Sequence, residues 1–503
     1  MTNEQVIVVG GGIAGLTASA LLAHEGFNVI LLESHYQTGG CAGTFKRGNY
    51  VFDVGATQIA GLEKGGIHER LFRYLDWPQP LGSILDPGCE VDLRDGSRPI
   101  KIWHDPVRWE IERNQQFPGS KRFWSLCSLI HQSNWSFAEK DTVLPVSDFW
   151  DFKQFISSVE PLTFLFGLLS RSSVSDLLWL CSCPQDQRLQ KFLDLQLQLY
   201  SQEKADQTAA LYGATVLQMA QAPRGLWHLQ GSMKSLSDAL ESCLLRDGGK
   251  LLLRHKVTAI ETISTTDSWI VDVVDGNGST SQLVASDLVF TLPPQCLLGL
   301  TSGNSSLPTN YRDRIAKLPQ PNGAIVFYGA ISRQYLQEIH SNHYQFFVED
   351  LGSLFLSISC EGDGRAPLGE ATIIASAFTS VDFWASLDDQ IYRKEKQVFL
   401  QKILKAIKSV FNIHPDDWLH KELATPRSFA KWTGRPQGIV GGLGQRPTTF
   451  GPFGLSSRSP VKGLWLCGDS IYPGEGTAGV SQSALMACRQ LMATKGHPFR
   501  LPK

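Results

Sequence analysis

The stretch VIVVGGGIAGLTASALLAHEGFNVILLE, from Val6 to Glu33, restricts what this chain can fold into more than any other. Val6–Val9 is a continuous β-branched run, the pattern of a parallel strand covered on both faces. Gly10, Gly12 and Gly15 then set out G-x-G-x-x-G. Ile13 to His24 is rich in alanine and leucine and predicts a helix, Gly26 closes it, and Asn28–Leu32 predicts a second buried strand with Glu33 at its end. This order is that of a βαβ unit built to hold a dinucleotide. Gly10 permits the tight turn, Gly12 lets backbone approach a pyrophosphate, and Gly15 lets helix and strand pack closely. Ile13 and Ala14 open the helix, whose unpaired N–H groups would face the anion. Glu33 is placed to accept from ribose hydroxyls and would repel a 2′-phosphate, which disfavours NADP. The unit predicts α/β architecture and leaves NAD and FAD both open.

Two further glycine-bearing segments separate them. Gly39, Gly40 and Gly43 lie just past Glu33, and Phe52–Asp53–Val54–Gly55–Ala56 follows. A second glycine cluster there suits a cofactor that continues beyond its pyrophosphate. Near the C-terminus, Leu464–Cys467 predicts a short buried strand, followed by Gly468–Asp469, the turn Pro473–Val480 and a helix from about Ser481 to Met492. An aspartate at that point can hold a ribityl hydroxyl, and the helix dipole can stabilise negative charge on a reduced flavin ring. NAD has no ribityl chain, so the expected cofactor is FAD, with Gly468, Asp469, Gly476, Ala478 and Val480 at its flavin end.

A third piece lies between these. Gly231–Ser232 opens a helical stretch to about Arg246, Gly248–Gly249 ends it, Lys250–Arg254 predicts a strand leading to Val257, and Asp287–Thr291 predicts another, stopped by Pro293–Pro294. The expected FAD-binding domain is therefore discontinuous, roughly 1–80, 220–300 and 455–503. Blocks 81–219 and 301–454 would form an inserted α+β substrate domain.

Composition excludes several function classes. With 503 residues, 42% hydrophobic and 19% charged, the chain can bury a large core. A net charge of −2 gives no bulk attraction to nucleic acid. Ten scattered cysteines read as reduced thiols, and Cys181-x-Cys183 has neither metal nor redox spacing. The twelve histidines form no metal motif, so no metal is expected. Glu4 and Gln5 lead straight into the first strand without a basic region, which argues against a cleaved targeting peptide. The most apolar stretch, Leu162–Leu180, carries Arg171 and Asp176 and is a poor membrane span. The expected location is the cytoplasmic side, free or peripheral to a membrane.

Taken in order, the N-terminal βαβ unit, the Gly39–Gly40 cluster with Phe52–Ala56, the Gly225–Ser232 block and the Gly468–Val480 block resemble the phytoene desaturase family of carotenoid desaturases and isomerases. That family lies within the amine-oxidase-like flavoproteins, whose fold is shared by prenyl-binding escort proteins of the GDI type. The run Gly434–Gly442 and the ending Leu464–Asp469 look most like the cyanobacterial-type carotenoid 3′,4′-desaturases. The resemblance implies FAD with its ribose on Glu33, its pyrophosphate over Gly12 and Gly15 beside Gly40, its adenine near Val257, and its flavin beside Gly55, Ala56 and the Gly468–Val480 turn. It also implies a lipophilic carotenoid substrate and an electron acceptor, with oxygen and quinone both open. One position departs from the family: where relatives carry an arginine after the second Gly-Gly pair, this chain has Cys41, and Arg47 is the nearest replacement.

The block 81–220 is rich in aromatics, including Trp103, Trp109, Phe123, Trp124, Trp135, Phe137, Phe149, Trp150, Phe152 and Phe155. These residues suit a polyene tunnel and suit an ordinary core equally well. Phe149–Leu180 reads either as helices against a core or as a segment lying on a bilayer surface. No triad or carboxylate pair stands out, so catalytic residues are not assigned. Cys41 and Cys467 invite a covalent flavin bond but suit small-residue packing, and Asp53 and Arg47 are the polar candidates for tuning the flavin. The reading that results is desaturation at C-3′,4′, by hydride transfer from an allylic carbon to flavin. Its rivals are a cis–trans isomerase using reduced FAD, an amine or protoporphyrinogen oxidase, and a non-enzymatic prenyl-binding escort.

Overall fold

In a computed structural model that describes residues 4–183, 185–263, 267–301 and 307–502, the strand Gln5–Val9 lies at the centre of a five-stranded sheet. It pairs in parallel with Asn28–Glu33 on one side and Asp287–Phe290 on the other; Lys250–Leu253 and Leu464–Leu466 complete the edges, also in parallel. Val6 to Val9 are almost wholly shielded from solvent, as a β-branched strand covered on both faces should be. The helix Ile13–His24 is buried nearly all round. It is wedged between the sheet and the helices Lys234–Arg246 and Thr477–Thr494, and its alanines and Gly15 allow that close approach. A β-carbon at Gly15 would overlap the carbonyl oxygen of Gly10.

The C-terminal helix starts at Thr477, not near Ser481 as the sequence suggests. The glycine-rich turn thus runs directly into helix, and Gly476, at φ +82°, is the cap. Thr477 to Val480 form its first turn, so the helix N-terminus lies inside the glycine-rich turn and not beyond it.

A seven-stranded mixed sheet forms the second layer, in the order Trp418–Ala424, Gly323–Ser332, Glu370–Thr379, Gly352–Ile358, His343–Val348, Cys89–Asp92, Ile100–Ile102. All its pairings are antiparallel except that of His343–Val348 with Cys89–Asp92. The strand Gly323–Ser332 is buried along almost its whole length, and its side chains divide by the two-residue period. Ile325, Phe327 and Ile331 join a core with the long helix Asp389–Phe411. Ala324 and Val326 face the other way, toward a large internal cavity. Helices between Pro106 and Val216 form a third layer around Trp109, Phe123, Trp124 and Phe192. A separate three-stranded sheet, Lys256–Ile263, Ser268–Val274 and Thr280–Ala285, flanks the parallel sheet. The whole is a Rossmann-like parallel sheet joined to a mixed α+β layer, the architecture expected from the sequence.

Candidate functional site

The carboxyl ends of four of the five parallel strands, where ligands bind in open α/β sheets, open onto one cavity of about 1130 Å³, the edge strand Lys250–Leu253 being the exception. That exceeds the usual range for one small ligand, about 300–1,000 Å³. Gly10, Gly12, Ile13 and Ala14 line it from the first turn, Glu33 from the end of the second strand, and Gly39 to Ala42, Gly55 and Ala56 from the next segment. Gly468, Asp469, Gly476, Ala478 and Val480 line it from the C-terminal turn. Two turns far apart in sequence thus share one wall.

The local geometry suits a dinucleotide. Both helices that point at the cavity, Ile13–His24 and Thr477–Thr494, begin at a glycine and carry no side-chain cap, which leaves their first N–H groups for a bound anion. A β-carbon at Gly12 would meet nothing within 4 Å, so the backbone there is open to the cavity. Glu33 is held at both oxygens: Gly11 N–H donates to Oε2 at 2.6 Å and His35 N–H to Oε1 at 2.7 Å. Gly15 lies behind this wall, in the helix–strand contact. Val257 is also outside the lining; it is a buried residue of the three-stranded sheet, while His255, two residues earlier, donates its N–H to the Glu33 carbonyl.

The residue that stands where Cys41 leaves a gap is Arg435, whose place in the Gly434–Gly442 run does not by itself reveal a role. Its Nη1 lies 2.8 Å from Asp469 Oδ2, and Nη2 donates to the Gly441 carbonyl at 2.6 Å. Its Nε is buried, without a hydrogen-bond partner, in a side chain that lines the cavity. Burial alone would lower the Arg435 guanidinium, but the neighbouring Asp469 carboxylate holds it above its ordinary range. Burial pushes the Cys41 thiol up, against the pull of Arg435, so it is a neutral lining group. Cys467 is buried behind the wall and does not line the cavity.

Arg47 does not serve here. It forms a surface fork with Glu422, Nε to Oε2 at 2.7 Å and Nη2 to Oε1 at 3.0 Å. Asp53 is likewise committed elsewhere: it accepts from Met233 N–H at 2.9 Å and from Thr44 Oγ1 at 3.0 Å, and pairs with Arg365 at 3.0 Å. Both were candidates for tuning the flavin, and neither lines the cavity. Spacing placed them near the glycine cluster but could not say which way the strand turned their side chains.

Among the described residues, one group of metal-type donors, His228, Cys360 and Asp363, comes together within 4.8 Å. Arg365 Nη1 lies 2.9 Å from Asp363 Oδ2 and 3.0 Å from His228 Nε2, putting a fixed positive charge among them. This is an interior ion-pair network reaching Asp53 and a poor cation site.

The aromatics of 81–220 divide. Trp135, Phe137 and Phe155 line the cavity. Trp109, Phe123 and Trp124 are core, and Phe149 and Phe152 are exposed. Trp103 and Trp150 pack partly buried against the cores. Tyr212, Phe450 and Tyr472 form a further aromatic run along the cavity, with ring centroids 5.5 and 5.6 Å apart. Of the thiols in Cys181-x-Cys183, Cys181 is buried and Cys183 only partly so.

Fold and cavity together define a flavin-dependent oxidoreductase. Residues 13–492 match the family model described as flavin containing amine oxidoreductase, and the chain belongs to that family. FAD is its cofactor, and the cradle described above fits it. Among curated proteins, the chain is 26% identical to prolycopene isomerase 2 of an Oncidium hybrid cultivar, covering 99% of this chain and 85% of the relative. It is 23% identical to the zeta-carotene-forming phytoene desaturase of Myxococcus xanthus, covering 97% and 94%. These relatives place it in the carotenoid isomerase and desaturase branch of the flavoproteins. Cyclohexylamine oxidase from Brevibacterium oxydans has the same fold, with a TM-score of 0.61 at 18% identity over 98% of each chain.

Proposed function

We propose that this protein is an FAD-dependent carotenoid desaturase that oxidises a C-3′,4′ bond. The observation that carries the reading is one cavity shared by the two glycine turns and an apolar wall of Trp135, Phe137, Phe155, Tyr212 and Phe450. A polyene offers a flat apolar face that stacks on such rings. The similarity to enzymes named for carotenoids supports the same substrate class. The proposed cofactor-binding residues are Gly10, Gly12, Ile13, Ala14, Glu33, Gly40, Gly55, Ala56, Gly468, Asp469, Gly476, Ala478 and Val480 on the cavity wall, with Gly15 packing behind it, Val257 beyond it, and Arg435 added as the cation near the pyrophosphate.

Bound there, FAD supplies a two-electron hydride acceptor. The chain's own contribution is positioning: the aromatic walls hold the polyene in one orientation and exclude water, and holding the reacting carbon within hydride reach accounts for most of the rate. The substrate would reach the cavity from a bilayer. Phe149, Phe164, Leu168 and Trp179 are 81%, 72%, 73% and 71% exposed. They lie on helices Phe149–Ser158, Pro161–Gly167 and Val174–Leu180 and the loop between the last two. Phe164 and Leu168, with the exposed Ile156, also line the cavity, so an apolar surface surrounds its mouth. No helix among the described residues is long and apolar enough to cross a membrane.

The second reading, cis–trans isomerisation with reduced FAD, is favoured by the similarity to prolycopene isomerase. Expression in a host that accumulates defined carotenoids, followed by product chromatography and mass measurement, separates the two. Desaturation removes two hydrogens and lengthens the conjugated system; isomerisation leaves the mass unchanged.

A further inference from the structure

The proton released in such an oxidation needs a destination in a cavity whose walls are mostly apolar. Four carboxylates line that cavity. Glu33 accepts from two backbone N–H groups, Asp469 is paired with Arg435 and Glu139 with Arg224. Glu475 differs. It stands just before the N-terminus of the C-terminal helix, between the flavin-end turn and the aromatic run, and its Oε1 accepts from the Gln202 amide at 2.8 Å. Its Oε2 lies against Gly441, where a β-carbon would come within 2.5 Å of it. The Gly442 backbone also faces it.

We propose that Glu475 is the proton acceptor of the oxidation. The inference rests on the carotenoid reading above. The C–H bond next to the carbon that loses hydride breaks, its electron pair becomes the π bond of the new double bond, and the proton passes to the Glu475 carboxylate. Oxidised flavin is the two-electron oxidant. The charged and titratable groups facing Glu475 are Asp469, Arg435 and Tyr212. Burial and then the Asp469 charge push the Glu475 carboxyl up to about 8, with Arg435 acting weakly the other way. A carboxylate so raised is a far stronger base than one in water, and near neutral pH it can both take and release a proton.

Two measurements on the FAD-loaded enzyme test this. In anaerobic single-turnover mixing with the carotenoid, the wild-type flavin reduction rate should fall about tenfold for each pH unit below about 8. Glu475→Gln should keep its FAD and its yellow spectrum but lose roughly 10²-fold or more in rate, with the remaining rate flat in pH. Glu475→Asp, which keeps a carboxylate, should retain a pH-dependent rate. The second measurement needs no substrate: the infrared difference between the holoenzyme at pH 7 and pH 9 should contain a carboxylic acid carbonyl band, absent from Glu475→Gln. A missing band, or a Glu475→Gln enzyme reacting at the wild-type rate, overturns the proposal. If no carotenoid reduces the wild-type flavin while the band still titrates, the polyene reading fails and the cavity carboxyl stands as the acceptor for another C–H substrate.

Discussion

Single glycines separate binding from folding in this protein. Gly12 and Gly15 belong to one motif, yet a β-carbon at Gly12 projects into open cavity and one at Gly15 overlaps a backbone carbonyl. Gly12→Ala should therefore leave the apoprotein's melting temperature unchanged and weaken FAD binding by about tenfold or more, or ~1.4 kcal/mol, measured by flavin titration. Gly15→Ala should destabilise the apoprotein itself by about 1–3 kcal/mol, measured by denaturant unfolding. Arg435→Met removes the cation beside Asp469 and leaves that half-buried carboxylate unpaired. It should lower both FAD affinity and stability, the latter by up to about 3 kcal/mol. Glu475 adds a pH signature. Its folded-state carboxyl is raised, so the protonated form is favoured by folding, and stability falls as pH rises from the usual carboxylate range through about 8. Glu475→Gln should flatten that slope, seen as a smaller loss of melting temperature between pH 5 and pH 9 than in the wild type. The residues that line the cavity were legible where a backbone motif fixes them, as at Gly10, Gly12 and Glu33. Arg435 and Glu475 were not, because an arginine after a glycine and a glutamate in a turn carry no periodic signal; their meaning comes from segments far away in sequence. An acid inside a glycine-rich turn that otherwise faces apolar residues was the one available hint.

At the scale of elements, the strands and helices of the parallel sheet follow directly from period and punctuation. The β-branched run Val6–Val9, the Ala/Leu-rich helix closed by Gly26 and the strand ending at Glu33 needed only local rules. The start of the C-terminal helix did not, since Gly476 caps a helix that composition alone places further on. The helices Phe149–Ser158, Pro161–Gly167 and Val174–Leu180 were ambiguous for a physical reason: a large apolar residue obeys the same helical spacing whether it meets a core or a bilayer. The structure leaves Phe149, Phe164, Leu168 and Trp179 uncovered. Replacing Phe164 and Leu168 together with aspartate should abolish co-flotation with anionic or neutral liposomes while leaving FAD content intact. Equal flotation of the variant and wild type would contradict the bilayer reading of this surface.

Across the whole molecule, the sequence carried the α/β class and pointed to the two distant glycine turns that line one cavity, because each turn declares its own geometry. It did not carry the seven-stranded sheet, where Gly323–Ser332 is buried on both faces and loses the alternation that would mark it. One cofactor joining the N-terminal and C-terminal turns should couple their stability: saturating FAD at a hundredfold excess over its dissociation constant should add about 2.7 kcal/mol against unfolding. The proposed hydride exchange between flavin and polyene takes place within this one cavity. Its most direct test is anaerobic mixing of the FAD-loaded protein with a carotenoid saturated at C-3′,4′, following both chromophores at once. The oxidised-flavin absorbance should fall as the polyene maximum moves to longer wavelength, with one double bond gained per flavin reduced. A polyene spectrum that keeps its conjugation length while the flavin stays oxidised would contradict it.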